Sequence, residues 1–203
     1  ERNHTNNCGV RSLALKNADD LAGLALDTLD LVELKPMDHS TEKWTQYFLT
    51  AREIKLLRHL RHDKRVFQAK RVLDVDVGVV TGQNQFFVLT KAEVKEYGLE
   101  PYLVRLVGRS NHLAGTIFRG SDWQANVDAQ LPSFLFLPPN VSKEELPERV
   151  RAYIKRGEDE GVDLGYKCRI RPRWYIVPSI WTPNAFMLRQ VHGYPKLVLN
   201  RSE

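Results

Sequence analysis

Apolar residues recur at helical spacing in three stretches of the chain, and the same four-residue signal introduces each. Thr50–Glu53, Thr90–Glu93 and Ser142–Glu145 all place a hydroxyl residue three positions ahead of a glutamate. That pairing lets a helix start satisfy two otherwise orphaned backbone amides. The spacing predicts a helix through IKLLRHLRH after the first and a short helix ending near Gly98 after the second. After the third it predicts a helix to Gly161, with Pro147 in its first turn and Leu146, Val150, Tyr153 and Ile154 as its buried stripe. Elsewhere the period changes. Tyr102–Val107 and SFLFL predict strands, and VDVGVVTGQNQFF predicts strand, turn and strand. Upstream, residues 9–34 predict strand (GVRSLAL), helix (ADDLAGLALDTL) and strand (LVEL), with the polar KPMDHSTEK as a boundary. The segment from Gly108 to Val127 has no clear period and is expected to be an ordered loop. YKCRIRPRWYIVP is expected to be extended, since Pro172 forbids helix and the aromatics favour strand. Irregular alternation of the two periods gives a mixed α+β fold class.

Composition narrows the picture. The chain has 203 residues, 42% of them apolar, enough for the core of one sizeable domain. It has no run of 18 apolar residues and no basic-then-apolar leader, which predicts a soluble, cytoplasmic protein without contact to membrane. Cys8 and Cys168 lie far apart; a reduced protein is expected, with a disulfide between them left open. His59 and His62 are one helical turn apart, but they sit in the basic run LRHLRHDKR with no third ligand near, so no metal site is expected.

Charge changes the reading more. From Leu164 to Ser202 there is no Asp or Glu, while Lys167, Arg169, Arg171, Arg173, Arg189, Lys196 and Arg201 supply seven positive charges. The rest of the chain, with 23 Lys and Arg against 25 Asp and Glu, is slightly acidic. A concentrated positive surface on a near-neutral body points to a polyanionic partner, the alternative being a plain solvated basic face.

Complete catalytic constellations are missing. Gly-x-Gly does not occur, which removes the dinucleotide, Walker and glycine-rich S-adenosylmethionine (SAM) loops together. Leu137-Pro138-Pro139-Asn140 reverses the order of an Asn-Pro-Pro-aromatic motif and reads as a strand end. Asp76 with Glu93-Val94-Lys95 has nuclease-like spacing, but Glu93 is also the third residue of a capping box. Ser110 and His112 find no acid to complete a triad.

Two features carry binding chemistry. In an extended chain Lys167, Arg169, Arg171 and Arg173 would project from one edge about 6.6 Å apart, with Cys168, Ile170 and Trp174 turned to the core. Such a ladder suits phosphates, four of which would give a salt slope of about −3.6 on duplex DNA. A charged, protective edge strand is the competing reading. The loop Thr81–Gln85 offers amides that pair bidentately with adenine, and Gly82 allows close backbone approach; a hairpin turn bonding only its own backbone is the alternative.

Taken in order, VDVGVVTGQNQFFVLT, LVGRSNHLAGTIF, YIKRGEDEGVDLGYKCRIRPRWYIVP and SIWTPNAFMLRQVHGYPKLVLN resemble the C-terminal target-recognition region of adenine-specific (N6) DNA methyltransferases of the TaqI-like, bifunctional restriction–modification type. The resemblance spans roughly residues 44 to 200. It implies a connecting segment at residues 1–40, from a catalytic domain outside this chain, and a DNA target-recognition domain at 41–203 that continues in relatives beyond LVLNRSE. It further implies double-stranded DNA as partner, a methyltransferase domain acting in cis or in trans, and SAM held by that domain, with no cofactor and no catalytic residue in this chain. A stand-alone specificity module serving separate catalytic subunits is the variant reading. Carried over segment by segment, the DNA-facing residues would be Thr81, Gly82, Gln83 and Asn84, then Arg109 and Ser110, then Lys167, Arg169, Arg171, Arg173, Trp174 and Tyr175.

Overall fold

The structure, a computed structural model, describes residues 8–38, 41–189 and 193–202. Two positions of the KPMDHSTEK stretch and three ahead of Gly193 therefore lie outside the described residues. The architecture is α+β, as the alternating patterns predict, and the chain divides into two compact units, positions 1–75 and 76–203.

The first unit holds strand β1 (Gly9–Val10), helices α1 (Asp19–Ala22) and α2 (Leu26–Asp30), strand β2 (Lys35–Pro36) and helix α3 (Ala51–His62). The single helix expected over ADDLAGLALDTL is broken at Gly23, where glycine's backbone freedom weakens a helix, and Ala25 turns extended before α2 begins. The expected strand LVEL moves to Lys35–Pro36, which pairs antiparallel with β1. The first capping box forms: the Thr50 amide donates to Glu53 Oε2 at 2.8 Å, and the Glu53 amide to Thr50 Oγ1 at 3.3 Å.

Polar contacts hold this unit's interior. Lys35 is buried and donates from Nζ to Ser12 Oγ and to the Tyr47 carbonyl, both at 2.8 Å. The Tyr47 hydroxyl donates to Glu42 Oε2 at 2.5 Å and accepts from the Asp38 amide at 2.8 Å. Arg58 forks onto Glu42 at 2.7 and 2.9 Å. The Glu42 side chain is only 2% exposed, and the Arg58 guanidinium holds its carboxyl down at about 2.

The second unit begins without regular structure and then runs through α4 (Asn84–Phe87), β3 (Val88–Leu89), α5 (Lys91–Tyr97), β4 (Leu103–Arg105), β5 (Ile117–Arg119) and α6 (Gly120–Asp128). It continues with β6 (Phe134–Phe136), α7 (Glu148–Asp159), α8 (Tyr166–Arg169), β7 (Ala185–Met187) and β8 (Leu197–Arg201). One antiparallel sheet has the order β3-β6-β4; in the other, β8 lies between β5, to which it is parallel, and β7, to which it is antiparallel. The strands expected at Tyr102–Val107 and SFLFL are β4 and β6. The segment expected to be a loop from Gly108 to Val127 instead carries β5 and α6. Its strand becomes legible only once β8, some eighty residues on, pairs with it.

The other two capping boxes form as well. The third closes a 3₁₀ turn, Lys143–Glu145, and Pro147 becomes the cap of α7 rather than part of its first turn. Val150, Tyr153 and Ile154 face the main core as expected, and Leu146 joins them from the turn. That core is aromatic. Phe86 stacks on Tyr153 at 4.6 Å and meets Trp174 at 5.1 Å, while Gly157 lets α7 approach so closely that a Cβ would stand 2.5 Å from both rings. A smaller core of Leu113, Phe118, Trp123, Val127 and Val198 lies beneath the second sheet, and Phe134 packs against both. No helix among the described residues is long and apolar enough to cross a membrane.

Candidate functional site

The stretch around Thr81 is not a hairpin. Phe86 and Phe87 are consecutive and both buried; a strand would point them to opposite faces, whereas a helical turn brings both against one core. The chain therefore turns into α4, with the Phe86 and Phe87 amides donating to the Gln83 carbonyl at 3.1 and 3.2 Å. Thr81 is buried, and its hydroxyl donates to Asn84 Oδ1 at 2.5 Å. Gly82 takes a positive φ of 89°, a conformation that favours glycine. Gln83, Asn84 and Gln85 remain exposed at the turn.

The basic segment also departs from expectation. Lys167–Tyr175 is not an extended ladder: Tyr166–Arg169 forms α8, and Pro172 follows in a run of turns. The period-two alternation is lost, since Cys168 is fully buried while Ile170 is 58% exposed. Burial of Cys168, Tyr175 and Val177 in the aromatic core sets the path of this segment. Its four cations consequently separate into two kinds. Lys167 and Arg169 are exposed and form no ion pair with the described residues. Arg171 donates to the Val80 carbonyl at 2.7 Å and lies over the Phe87 ring at 5.8 Å, and Arg173 donates to Asn140 Oδ1 at 3.0 Å. Trp174 and Tyr175 are likewise engaged inside, the indole with Glu158 at 3.4 Å and the phenol donating to the Val141 carbonyl at 2.9 Å.

These two stretches, over eighty residues apart, interlock. A Cβ on Gly82 would stand 2.8 Å from Lys167 Cβ and 3.3 Å from Cys168 Sγ. The Cys168 thiol, pushed upward in pKa by burial, donates toward the Thr81 carbonyl at 3.9 Å. With Arg171 fastened to Val80, the turn is clamped from one side by the basic segment, and its three amides stay exposed.

The turn forms one wall of a cleft of about 1010 Å³, through Thr81, Asn84 and Gln85. The chain from Arg105 to Arg109 lines a second side, and Ile180–Pro183 with Asn200 and Ser202 a third. Arg109 stands exposed beside His112, which is buried; burial and the Arg109 charge push the imidazole below its ordinary pKa. The neutral ring accepts at Nδ1 from the Gly108 amide at 3.4 Å and so fixes the turn that carries Arg109 and Ser110. Ser110 is exposed just outside the cleft lining.

Sequence reasoning missed Arg105 and Trp181. Arg105 lies over the Trp123 ring at 4.7 Å and donates to the Ser202 carbonyl at 3.3 Å, and Trp181 lines the cleft with half its surface exposed. A charge inside the strand pattern LVRLV was the available signal for the first. The signal for the second was an aromatic bracketed by Pro178 and Pro183.

Glu93 is engaged by its cap: the Thr90 amide and hydroxyl both donate to Oε2 at 2.7 Å. Among the described residues no three His, Cys, Asp or Glu side chains gather as metal ligands.

A family model described as the C-terminal domain of type II methyltransferase M.Eco57I matches residues 41–203. Among curated proteins, the type II methyltransferase M.AccI of Acinetobacter calcoaceticus is 23% identical over 138 residues. That similarity covers 68% of this chain and 24% of the relative, so the chain spans about a quarter of the length of the protein it matches. No solved structure matches.

Proposed function

We propose a function from one premise: the chain belongs to the family of type II methyltransferase C-terminal domains described for M.Eco57I. In this reading it is the sequence-specific DNA-recognition part of a SAM-dependent, adenine-N6 DNA methyltransferase of a restriction–modification system. Methyl transfer and SAM binding belong to a catalytic domain supplied in cis or in trans, and this chain holds duplex DNA and reads it.

The observation that carries the reading is the interlock of the Thr81–Gln85 turn with the Lys167–Arg171 segment at the cleft. It fixes together the two stretches of backbone that carry three exposed amides and two cations without an ion pair among the described residues. Rigidity matters because base discrimination depends on geometry held before the ligand arrives. Asn84 suits adenine, since its Nδ2 is uncommitted and its Oδ1 keeps a second lone pair beyond the Thr81 bond. Lys167, Arg169, Arg109 and Ser110 are the phosphate partners, which set position and salt dependence rather than sequence. Thr81, Gly82, Arg171, Arg173, Trp174 and Tyr175 serve as positioning residues behind that surface.

A mobility-shift titration on random duplexes at two salt concentrations, followed by sequencing of the bound pool, tests the reading. A salt-sensitive shift with an enriched motif is expected. Lys167→Gln with Arg169→Gln should weaken binding across all sequences, whereas Asn84→Ala should blur the motif more than it lowers affinity. Absence of a shift at low salt would overturn the reading.

A further inference from the structure

Outside the cleft, α5 and α7 enclose a second hollow of about 520 Å³, lined by Lys95, Glu96, Gly98, Arg149, Ala152 and Arg156, among others. Three cations thus face one carboxylate. Lys95 and Arg149 make no ion pair with the described residues, so neither charge is neutralised from within.

One of these cations lies against a helix end, and another is held in place. Gly98 ends α5 with a φ of 63°, and the Arg149 guanidinium lies over it, Nη1 only 2.7 Å from where a Cβ would stand. Any other residue at 98 would displace the guanidinium as well as strain the cap. Arg156 lies over the Tyr97 ring at 4.8 Å and the Tyr153 ring at 5.9 Å, and Glu160 fixes its far side at 2.7 Å. An arginine whose freedom is already spent, as that of Arg156 is, loses little more on meeting an anion, and both guanidinium groups present the fork that phosphate oxygens accept. Arg156 also lines the main cleft, so the hollow and the cleft share this residue and the hollow flanks the cleft.

We infer that this α5–α7 hollow is a second, sequence-independent contact for the sugar-phosphate backbone, holding duplex that runs past the cleft. The inference rests on the DNA-recognition reading and extends it to Lys95 and Arg149, which lie outside the acid-free segment. Arg156 anchors the hollow from inside.

Fluorescence-anisotropy titrations of the 203-residue chain with a mixed-sequence duplex, over a series of salt concentrations, test it. Replacing both Lys95 and Arg149 with Gln should make the log–log salt dependence shallower by about 1.8, one phosphate for each cation. The motif in the bound pool should not change. Ala152→Glu, a helix-compatible change that puts a carboxylate in the hollow, should lower affinity at low salt with no change in thermal stability. If both variants keep the parent slope and affinity while Lys167→Gln with Arg169→Gln loses them, the hollow is no contact and the cleft reading stands. If the parent chain binds no duplex at low salt, both fall.

Discussion

The two units are held together by different physics. The first has few buried side chains, and its interior is a chain of charged and polar partners running from Lys35 through Tyr47 and Glu42 to Arg58. The second buries interlocking rings, with Phe86 against Tyr153, Trp174 and Phe136. Apolar burial is insensitive to pH and forgiving in direction, whereas an ion-paired interior depends on protonation and on every partner being present. The comparison predicts that acid loosens the first unit while packing mutations break the second.

The largest effect should come from the aromatic core. Phe86→Ala should destabilise the second unit by about 3–5 kcal/mol in urea denaturation. It should also loosen α4, because the ring packing on Tyr153 and Trp174 is lost and only the 2.6 Å bond from the Tyr153 hydroxyl to the residue-86 carbonyl still ties the helix down. Hydrogen exchange confined to the loop, with the unfolding midpoint unmoved, would show that the rings do not carry the unit.

Next is Glu42. A carboxyl at about 2 rather than 4.5 adds stability that is fully present above the ordinary value and is lost as pH falls through the lowered one. Glu42→Gln should therefore cost roughly 2–3 kcal/mol at neutral pH, discounted because Arg58 is partly open to solvent. It should also flatten the acid limb between about pH 4.5 and 2. Hydrogen exchange in α3 reads this directly; an unchanged pH profile would remove Glu42 as the sensor.

A smaller pH effect is expected in the second unit. His112 has its pKa lowered, so the folded form resists a proton that the unfolded chain accepts, and stability falls as pH drops below the ordinary imidazole range. His112→Asn should abolish that slope in thermal melts between pH 7 and pH 5.

The smallest effects separate the two kinds of cation in the basic segment. Arg171→Lys should cost about 1 kcal/mol, since a lysine cannot reproduce the fork that reaches both Val80 and Trp174. Lys167→Gln should stay within about 0.5 kcal/mol of the parent in the same melts. Equal losses would mean that Arg171 is no more a strut than Lys167.

Local chemistry determined much of this protein without reference to the fold. The hydroxyl–glutamate pairs at Thr50, Thr90 and Ser142 cap their turns because donor and acceptor lie within four residues. The strands in Leu103–Arg105 and Phe134–Phe136 and the buried face of α7 follow from apolar period alone. The fold class was legible for the same reason, whereas the family resemblance lay in four matching stretches taken in order.

Tertiary structure alone decided the rest. Alternation in KCRIRPR reads as strand, yet burial of Cys168, Tyr175 and Val177 imposes a helical turn, because short runs carry too little intrinsic preference to resist packing. Which arginines face outward was decided by partners as distant as Val80 is from Arg171, 91 positions away in sequence. The cleft likewise exists only after β8 pairs with β5 and brings Asn200 and Ser202 beside Asn84 and Arg109. Long-range pairing leaves no periodic trace in either partner, so the sequence could offer candidates for the site, but neither the cleft that gathers some of them nor which of them are free of partners.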